Sequence, residues 1–533
     1  MNIIKKINIQ ILFAFVAGLL VFNACVDKND WDVDKSHDRL FRPTNLAVTS
    51  ITATTGDLSF VSIPGTEYYQ FELSADSLLF ENIVSTFDTT ANAFTLTGLD
   101  GNTQYSLRVK AIPTEASKGE SEWASIYFKT RAEQIMETVA AGDVASRTVT
   151  LRWEAGATVT NIVLNDADGK EVQNVTITAE QMAAGELEVT GLSPETSYEA
   201  LLMNGTKQRG SASFTTYPDV PDAEYYIRLQ AGDVLTQEMF DEITASTVTV
   251  TFPAGGFFTF AETLTLPAGV SFNFFGLPGD SKAILNLTQL ELGATHDYVK
   301  FTNLDISGLV YDATGTPTGG SNSYFINQSG ETNTATLEFS NCLLHDFNNT
   351  PLRLKDSADK YFGNLNIDNC LVYNIPDSYY VINVSASNHV IDNISITNST
   401  FYNIGRLFLH NKANNNSVLI ADCTFDDIVA AGRYFFDYSS SYGPTSGFTM
   451  RNCILGSTQD DTAKGIRFNG SPTVTNSYAT SDFVLGGATI GGLNSYSGAS
   501  TDLFADPANG DFSIADELFD GKTSAGDPRW YFQ

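Results

Sequence analysis

The sequence predicts an all-β protein in which two small β-sandwiches precede a β-solenoid, and two kinds of internal repeat support this prediction. A unit of alternating apolar and polar residues, ending in Asn or Asp and a small residue, recurs between Leu337 and Tyr478 at intervals of 24 to 30 residues. A different segment, ending in Tyr105, is matched by a similar segment ending in Tyr198. Alternation indicates strands with one buried face, and strand repeats of this length without a helical period indicate stacked coils.

Three columns of residues emerge when the solenoid units are aligned. The turn column consists of Asn341, Asn369, Asn398, Asp422, Asn452 and Asn476. Asn tolerates the left-handed conformation of a sharp turn, and stacked Asn amides can bond along such a column. The small residues that follow are Cys342, Cys370, Ser399, Cys423, Cys453 and Ser477. The residues expected to fill the core are Leu344, Val372, Phe401, Phe425 and Leu455.

A third strand in each coil follows, for example Leu352 to Lys355 and Tyr380 to Asn383. Three strands per coil, with an Asn turn between the second and third strands, resemble the right-handed parallel β-helix of the pectate-lyase-like superfamily. The resemblance covers residues 223–533. Its repeat is specific for the fold but says little about activity.

The first 25 residues are predicted to be an export signal, with Lys5 and Lys6 before a short apolar core. The sequence FNAC at residues 22–25 resembles a relaxed bacterial lipobox, which implies lipidation of Cys25. The alternative is an ordinary secretory peptide with an incidental Cys. The acidic residues 26–42 resemble the tether that sends Bacteroidetes lipoproteins to the cell surface, which implies an outer-membrane anchor.

Residues 43–131 and 133–217 are each predicted to form a β-sandwich. The segments Leu99 to Tyr105 and Leu192 to Tyr198 resemble the tyrosine corner of fibronectin type III modules. Trp153 supplies the core Trp of the second module, and Phe60 takes that place in the first. Such modules are mostly spacers.

The formal charge of −32 argues against nucleic acid or an anionic membrane surface as the main partner. Four of the five Cys lie in the inward column, and no His is spaced with them. Buried thiols are therefore favoured over disulfides or metal ligands.

Three further segments are expected to complete the solenoid. Residues 236–243 are predicted to form a short helix that caps the first coil, and residues 311–322 a long Gly-rich rim. The segments Phe504 to Phe512 and Gly526 to Trp530 resemble the closing segment of Bacteroidetes β-helix lipoproteins of unknown function, which implies that they cap the last coil.

In the resembled superfamily the groove lies along the strand that follows the third turn of each coil. The predicted outward column on that strand row is Lys355, Asn383, His410 and Asp437, with Arg353 and Arg467 nearby. A polysaccharide lyase needs a base and a cation that neutralises a uronate carboxylate. Lys355 or His410 is the candidate base.

Arg353, Arg467 or a calcium ion held by Asp437 and Asp356 is the candidate neutraliser. The alternative is the solvated polar face of a solenoid. A second predicted outward column consists of His345, Tyr373, Tyr402 and Asp426. The rings of Tyr373 and Tyr402 could dock sugars or simply pack against the sheet.

Two functions follow as hypotheses. The first is a surface lipoprotein that binds or processes polysaccharide within a glycan-utilisation system, with other glycan-uptake proteins as possible partners. The second is a lyase acting on a uronate-containing polysaccharide, and an adhesin or structural role is a weaker third. The sequence does not decide between binding and cleavage.

Overall fold

The computed structural model describes residues 38–312, 315–377 and 379–532. The predicted export signal, Cys25 and most of the acidic tether lie outside these residues. The protein is all-β, with 50% strand and 5% helix, which confirms the predicted fold class. In the part of the chain that is described, no helix is long and apolar enough to cross a bilayer.

The chain divides into two compact units. The described part of the first unit comprises residues 38–137, 153–185 and 199–212, and the second comprises residues 138–152, 186–198 and the chain from 213 onwards.

In the first unit, residues 44–129 form a sandwich of two antiparallel sheets. One sheet contains, in spatial order, Thr44–Ile51, Thr55–Val61 and Ala93–Thr97. The other contains Ile83–Thr89, Thr66–Ser74, Gln104–Pro113 and Ala124–Lys129. The tyrosine corner is confirmed, because the Asp100 N–H donates to the Tyr105 hydroxyl at 3.0 Å. Phe60 is buried in this core, as predicted.

The second module is also built from antiparallel strands in two sheets. A four-stranded sheet contains Glu171–Thr176, Asn161–Asp166, Ser197–Asn204 and Lys207–Thr215. A two-stranded sheet contains Glu186–Thr190 and Thr148–Arg152, and a short helix spans Ala179–Ala184. The Ser193 N–H donates to the Tyr198 hydroxyl at 3.0 Å, which confirms the second corner. Trp153 is 2% exposed, as expected for a core Trp.

The rest of the second unit is a parallel β-solenoid of about eight turns. The strand before each Asn turn belongs to a ten-stranded parallel sheet, here named sheet A. Its strands are Tyr225–Arg228, Thr247–Phe252, Ser271–Gly276, Thr295–Thr302, Thr332–Ser340, Lys360–Asp368, His389–Thr397, Ser417–Ala421, Phe448–Arg451 and Thr473–Thr475.

The strands directly after the Asn turn form sheet B, and the remaining strand of each coil belongs to sheet C. Sheet B contains Leu304–Ser307, Leu343–His345, Leu371–Ile375, Thr400–Ile404, Thr424–Ile428, Ile454–Leu455, Tyr478–Ala479 and Asn494–Ser495. Sheet C contains Ile326–Gln328, Leu352–Leu354, Ile382–Val384, Phe408–His410, Tyr434–Asp437 and Lys464–Arg467. The long strand Ala283–Glu291 pairs with the first strand of sheet B, with the first strand of sheet C and with the strand Phe257–Thr265.

The interior of the solenoid agrees with the predicted columns. The predicted core residues, from Leu344 to Leu455, are at most 6% exposed. The four described Cys are free and buried, in agreement with the sequence prediction. Ser399 and Ser477, which take their place in two coils, are fully buried.

The Asn column is confirmed in its backbone geometry. Asn303 and the six predicted turn residues all have φ between 43° and 57°. The amide ladder, however, runs in two pieces. Asn341 donates to Asn303 and Asn369 donates to Asn341, but Asn398 donates to Asp368 instead of Asn369. A second left-handed column, which the sequence analysis missed, lies near the ends of the sheet B strands at Asp346, Asn374, Asn403 and Asp427.

The first coil is capped as expected, although the helix is shorter than predicted and spans Glu238–Asp241. Its Phe240 is fully buried against Phe272 and Phe274. The predicted rim carries an antiparallel hairpin, Leu309–Tyr311 with Pro317–Ser321.

The C-terminal segment does not cap the last coil, so this expectation is wrong. It contains a helix at Ser500–Leu503, the antiparallel strands Phe504–Asp506 and Asp511–Ile514, and a 3-10 turn at Pro528–Trp530. It folds back over the outer face of sheet B. There Phe512 contacts Tyr402, and Trp530 Nε1 donates to Thr400 Oγ1 at 2.8 Å. Apolar side chains of the segment therefore cover sheet B laterally.

Candidate functional site

The strand pairing of sheet C defines its true outward column. Arg353 lies opposite Asn383, Asn383 opposite Leu409, Leu409 opposite Asp437, and Asp437 opposite Arg467. Asn383, Asp437, Arg353 and Arg467 therefore share the outer face, as the sequence analysis expected.

Lys355 and His410 do not belong to this column, and their predicted placement is wrong. His410 alternates with Leu409 and points into the solenoid, where it is 0% exposed. Its Nδ1 lies 3.1 Å from the Ala413 carbonyl oxygen, and burial lowers the pKa of His410 to about 4. Lys355 follows its strand, and its Nζ lies 3.4 Å from an Asp356 carboxylate oxygen. Neither residue is placed to act as a base beside Arg353.

Tyrosine side chains flank the outward column at every second sheet C strand. Arg353 donates from Nη1 to the Tyr324 hydroxyl at 3.1 Å, and its guanidinium also lies 5.8 Å from the Tyr379 ring centroid. Four coils further along, the Arg467 guanidinium lies 4.0 Å from the Tyr434 ring centroid. The outward column together with Tyr324, Tyr379, Tyr380 and Tyr434 is here named the sheet C face.

Arginine side chains give the sheet C face a positive local charge. Arg467 donates from Nε and Nη2 to the two Asp437 carboxylate oxygens, each at 2.8 Å. Asp377 accepts from both Arg406 and Arg433. Arg353 has no ion pair among the residues that the structure describes. Three guanidinium groups thus pair with two carboxylates and the fourth, that of Arg353, adds a further positive charge, within a chain of formal charge −32.

Asn383 stands at the centre of this face with its amide unsatisfied. It is 1% exposed, and neither its Nδ2 nor its Oδ1 has a hydrogen-bond partner within the described ranges. An unpaired buried polar group costs about 1–3 kcal/mol. At 1% exposure the amide is closed to solvent, so it is a strained point beneath this face and not part of its contact surface.

The expected calcium ligands do not come together. Asp437 is engaged by Arg467, and Asp356 lies beside Lys355. Arg353, two residues before Lys355, and Asp437 are three strand spacings apart, or about 14 Å. Over the described parts of the chain, no three His, Cys, Asp or Glu side chains gather in a way that could hold a metal.

The second predicted column is present on sheet B, but its rings face each other. The His345 and Tyr373 rings stack at 4.7 Å, Tyr373 and Tyr402 stack at 4.9 Å, and Phe512 covers the end of the stack. The Tyr373 face is therefore occupied on both sides. Asp426 is 4% exposed and accepts from the Ser457 N–H at 2.7 Å. These contacts favour the packing alternative for this column.

Sequence reasoning missed the tyrosines of the sheet C face and the Asp377 bridge. One signal was available, because Tyr324, Tyr380 and Tyr434 each stand at or just before a sheet C strand. A recurring aromatic at one point of the coil indicates a ring column beside the strand row. The partners of Asp377 lie in loops of unequal length, for which no sequence period exists.

The chain therefore combines fibronectin type III-like modules with a β-solenoid. Residues 418–530 are similar to a family described as a domain of unknown function, DUF5123. This match covers the last coils and the C-terminal segment, less than half of the chain. No curated protein matches the chain.

Several solved structures are similar in fold. A two-module fibronectin type III segment of chicken tenascin is 16% identical, with a TM-score of 0.23, covering 32% of this chain and 97% of that one. The fn3 domain of human collagen alpha-1(XX) is 22% identical, with a TM-score of 0.16, covering 19% of this chain and 94% of that one. The FN1-FN3 domains of chicken CNTN1 are 14% identical, with a TM-score of 0.15, covering 33% of this chain and 67% of that one. None of these similarities bears on function.

Proposed function

We propose that this chain is a lipid-anchored cell-surface protein of the outer membrane that binds polysaccharide along its sheet C face, as part of a glycan-utilisation system. The observation that carries the proposal is the row of tyrosines beside Arg353 and the Asp437–Arg467 pair. Aromatic rings pack against the apolar faces of sugar rings, while carboxylate and guanidinium groups bond to hydroxyls.

Arg353 suits a glycan that carries carboxylate groups. Its guanidinium contacts the phenol of Tyr324 and the ring of Tyr379, and it has no carboxylate partner among the described residues. A planar guanidinium in this state can bind a carboxylate through two parallel hydrogen bonds. A uronate-containing polysaccharide is therefore the ligand class that this face fits best.

The geometry favours binding over lyase chemistry. A lyase base must reach the proton beside the uronate carboxylate. His410 is enclosed in the core, and Lys355 lies outside the column that contains Arg353. The lyase alternative is therefore left without either of its candidate bases on this face.

Titration calorimetry of the chain against neutral and uronate-containing polysaccharides tests the proposal. Tyr379→Ala should weaken binding about tenfold, equivalent to about 1.4 kcal/mol of lost ring contact. Tyr361→Ala is the matched control, because Tyr361 is 42% exposed on sheet A and Tyr379 is 40% exposed. Equal affinities of the two variants for every glycan bound would remove the sheet C face from consideration.

Charge selectivity is tested separately with Arg353→Ala. This variant should lose affinity for uronate polymers and keep its affinity for neutral ones. Arg451→Ala, on sheet A, should change neither. Absorbance of unsaturated sugar ends is followed in the same samples, and their appearance would contradict a purely binding role.

A further inference from the structure

Lys282 lies in the turn before strand Ala283–Glu291, at the start of the Asn column, and its surroundings are unusual for a lysine. Its Nζ donates to Asn303 Oδ1 at 2.6 Å and to the Asn341 carbonyl oxygen at 2.8 Å. Within the described residues, no carboxylate forms an ion pair with it. Burial lowers the pKa of Lys282, which increases the share of the neutral amine.

The Asn303 side chain is held rigidly next to this amine. Asn303 is 3% exposed, and its Nδ2 donates to the Gly276 carbonyl oxygen at 2.9 Å. Its Oδ1 accepts from Asn341 Nδ2 at 3.1 Å as well as from Lys282. Because Lys282 is the attacking group, Asn341 is the donor that remains on this oxygen and can stabilise the negative charge of a tetrahedral intermediate.

We propose that Lys282 and Asn303 join through an intramolecular isopeptide bond. The neutral Lys282 amine attacks Cγ of Asn303, one bond length from the oxygen that Nζ already contacts. The bond between Cγ and Nδ2 of Asn303 breaks, and a proton passes from the attacking nitrogen to the leaving group. The products are a secondary amide and one ammonia molecule, so no oxidant, metal or cofactor is required.

The surroundings supply what this reaction needs. A lysine amine is a nucleophile when it is desolvated, and fixed proximity replaces an encounter in solution. Asp305 is the carboxylate that acts on the Lys282 charge, and its Oδ1 lies 2.7 Å from His345 Nε2. The other titratable groups that act on Lys282 are Cys342, Cys370 and Arg529.

The bond would close a loop between neighbouring coils. Lys282 precedes strand Ala283–Glu291, and Asn303 precedes strand Leu304–Ser307, which pairs with it. The two coils would be joined covalently near the start of the solenoid. A cross-link of this kind restricts the unfolded chain and resists separation of the coils.

Intact-mass measurement of the purified chain is the first test. We expect a mass lower by one ammonia molecule than the mass calculated from the processed N-terminus, and a branched peptide that joins the Lys282 and Asn303 segments. Lys360 is the internal control, because it is 1% exposed and its Nζ bonds only to the Ala358 carbonyl oxygen. After unfolding, Lys360 should react with amine reagents and Lys282 should not. A mass without the loss of ammonia, together with a Lys282 that reacts after unfolding, would overturn the proposal.

Two variants assign the chemistry. Lys282→Arg keeps a donor at the Asn303 oxygen but cannot form the amide, so the ammonia loss should disappear. Persistence of the loss in this variant would place it elsewhere and also overturn the proposal. Asn341→Leu keeps both reacting groups and removes one polarising donor, so the shifted mass should form more slowly. Formation at an unchanged rate would refute the role of Asn341.

Discussion

His345 and His410 are both buried in the solenoid, but their surroundings act on the imidazole charge in opposite directions. Burial opposes charge on His345, but hydrogen bonds to Asp305 and Asp346 outweigh it and raise the pKa of His345 to about 9. The pKa of His410 falls to about 4, since burial dominates among carbonyl and apolar neighbours. The two residues therefore limit stability at opposite ends of the pH scale.

Replacement of His345 by Gln should remove an alkaline stability limit. The folded pKa of about 9 exceeds the unfolded value of about 6.5, so protonated His345 stabilises the fold fully below pH 6.5. About 3 kcal/mol is then lost as pH rises through 9. Urea unfolding of both proteins between pH 6 and 10 measures this term. Parallel curves for wild type and variant would contradict it.

Replacement of His410 by Leu should relieve an acid limit. The folded pKa of about 4 lies below the unfolded value, so the neutral ring contributes stability above pH 6.5. This contribution, about 3 kcal/mol, is lost between pH 6.5 and 4. The wild type should lose more free energy of unfolding than the variant over that interval, and equal losses would count against the assignment. Glycan binding at pH 7 should be the same in both.

The inward position of His410 illustrates what the sequence could not give at this scale. Sheet C strands are only three or four residues long, and Phe408 and Leu409 are both apolar. Alternation over so short a stretch does not distinguish the inner from the outer face. On sheet A, where strands reach nine residues, the predicted alternation was correct.

The C-terminal segment is held in place by tertiary contacts and not by strand pairing with sheet B. Asp527 is 1% exposed, and its carboxylate accepts from Thr400 Oγ1 at 2.8 Å, while its N–H donates to Thr424 Oγ1 at 3.0 Å. Arg529 Nη2 donates to Asn369 Oδ1 at 2.6 Å. The segment has no strand period that links it to sheet B, so its position could not be predicted from the sequence.

Trp530→Ala should loosen this segment without unfolding the coils. The variant loses the bond from Nε1 to Thr400, worth about 1 kcal/mol, and the contact with Phe512. Hydrogen exchange should increase in residues 500–532 and remain unchanged in sheet A. Leu518→Ala is the control, because Leu518 is 89% exposed. Equal exchange in both variants would show that Trp530 does not hold the segment.

Phe401→Ala should weaken the coils themselves. Phe401 is fully buried and stacks on Phe425 at 5.3 Å, and stacked coils cannot collapse into the space left behind. We expect a loss of about 3–5 kcal/mol in the free energy of unfolding. Ser395→Ala, on the outer face of sheet A, should cost far less. Similar losses for the two would contradict the observed register.

For the whole molecule, repeats made the fold class predictable, whereas the site was predictable only in part. The Asn turns and tyrosine corners recur at fixed places, and each carries its own backbone geometry. The sheet C face depends on which residues of several loops meet, and loop lengths differ from coil to coil. Asn383 and Asp437 were placed correctly, whereas Tyr379 and Asp377 required the structure.

The proposed anchor leads to a prediction at this scale. Cys25→Ala should release the protein from the membrane fraction, because the variant lacks the thiol that would carry the proposed lipid. Partitioning of cell extracts between detergent and aqueous phases measures the change. Retention of the variant in the detergent phase would exclude Cys25 as the point of attachment.

The docking of the C-terminal segment on sheet B sets an order for folding. Coils can stack one after another, because each one pairs with the coil that precedes it in the chain. The segment that covers Tyr402 and Ile454 follows both in the chain, so an apolar strip stays open to water until residues 500–532 have docked. A chain truncated before residue 500 would therefore expose this strip, and it should bind a hydrophobic dye that the intact protein does not bind.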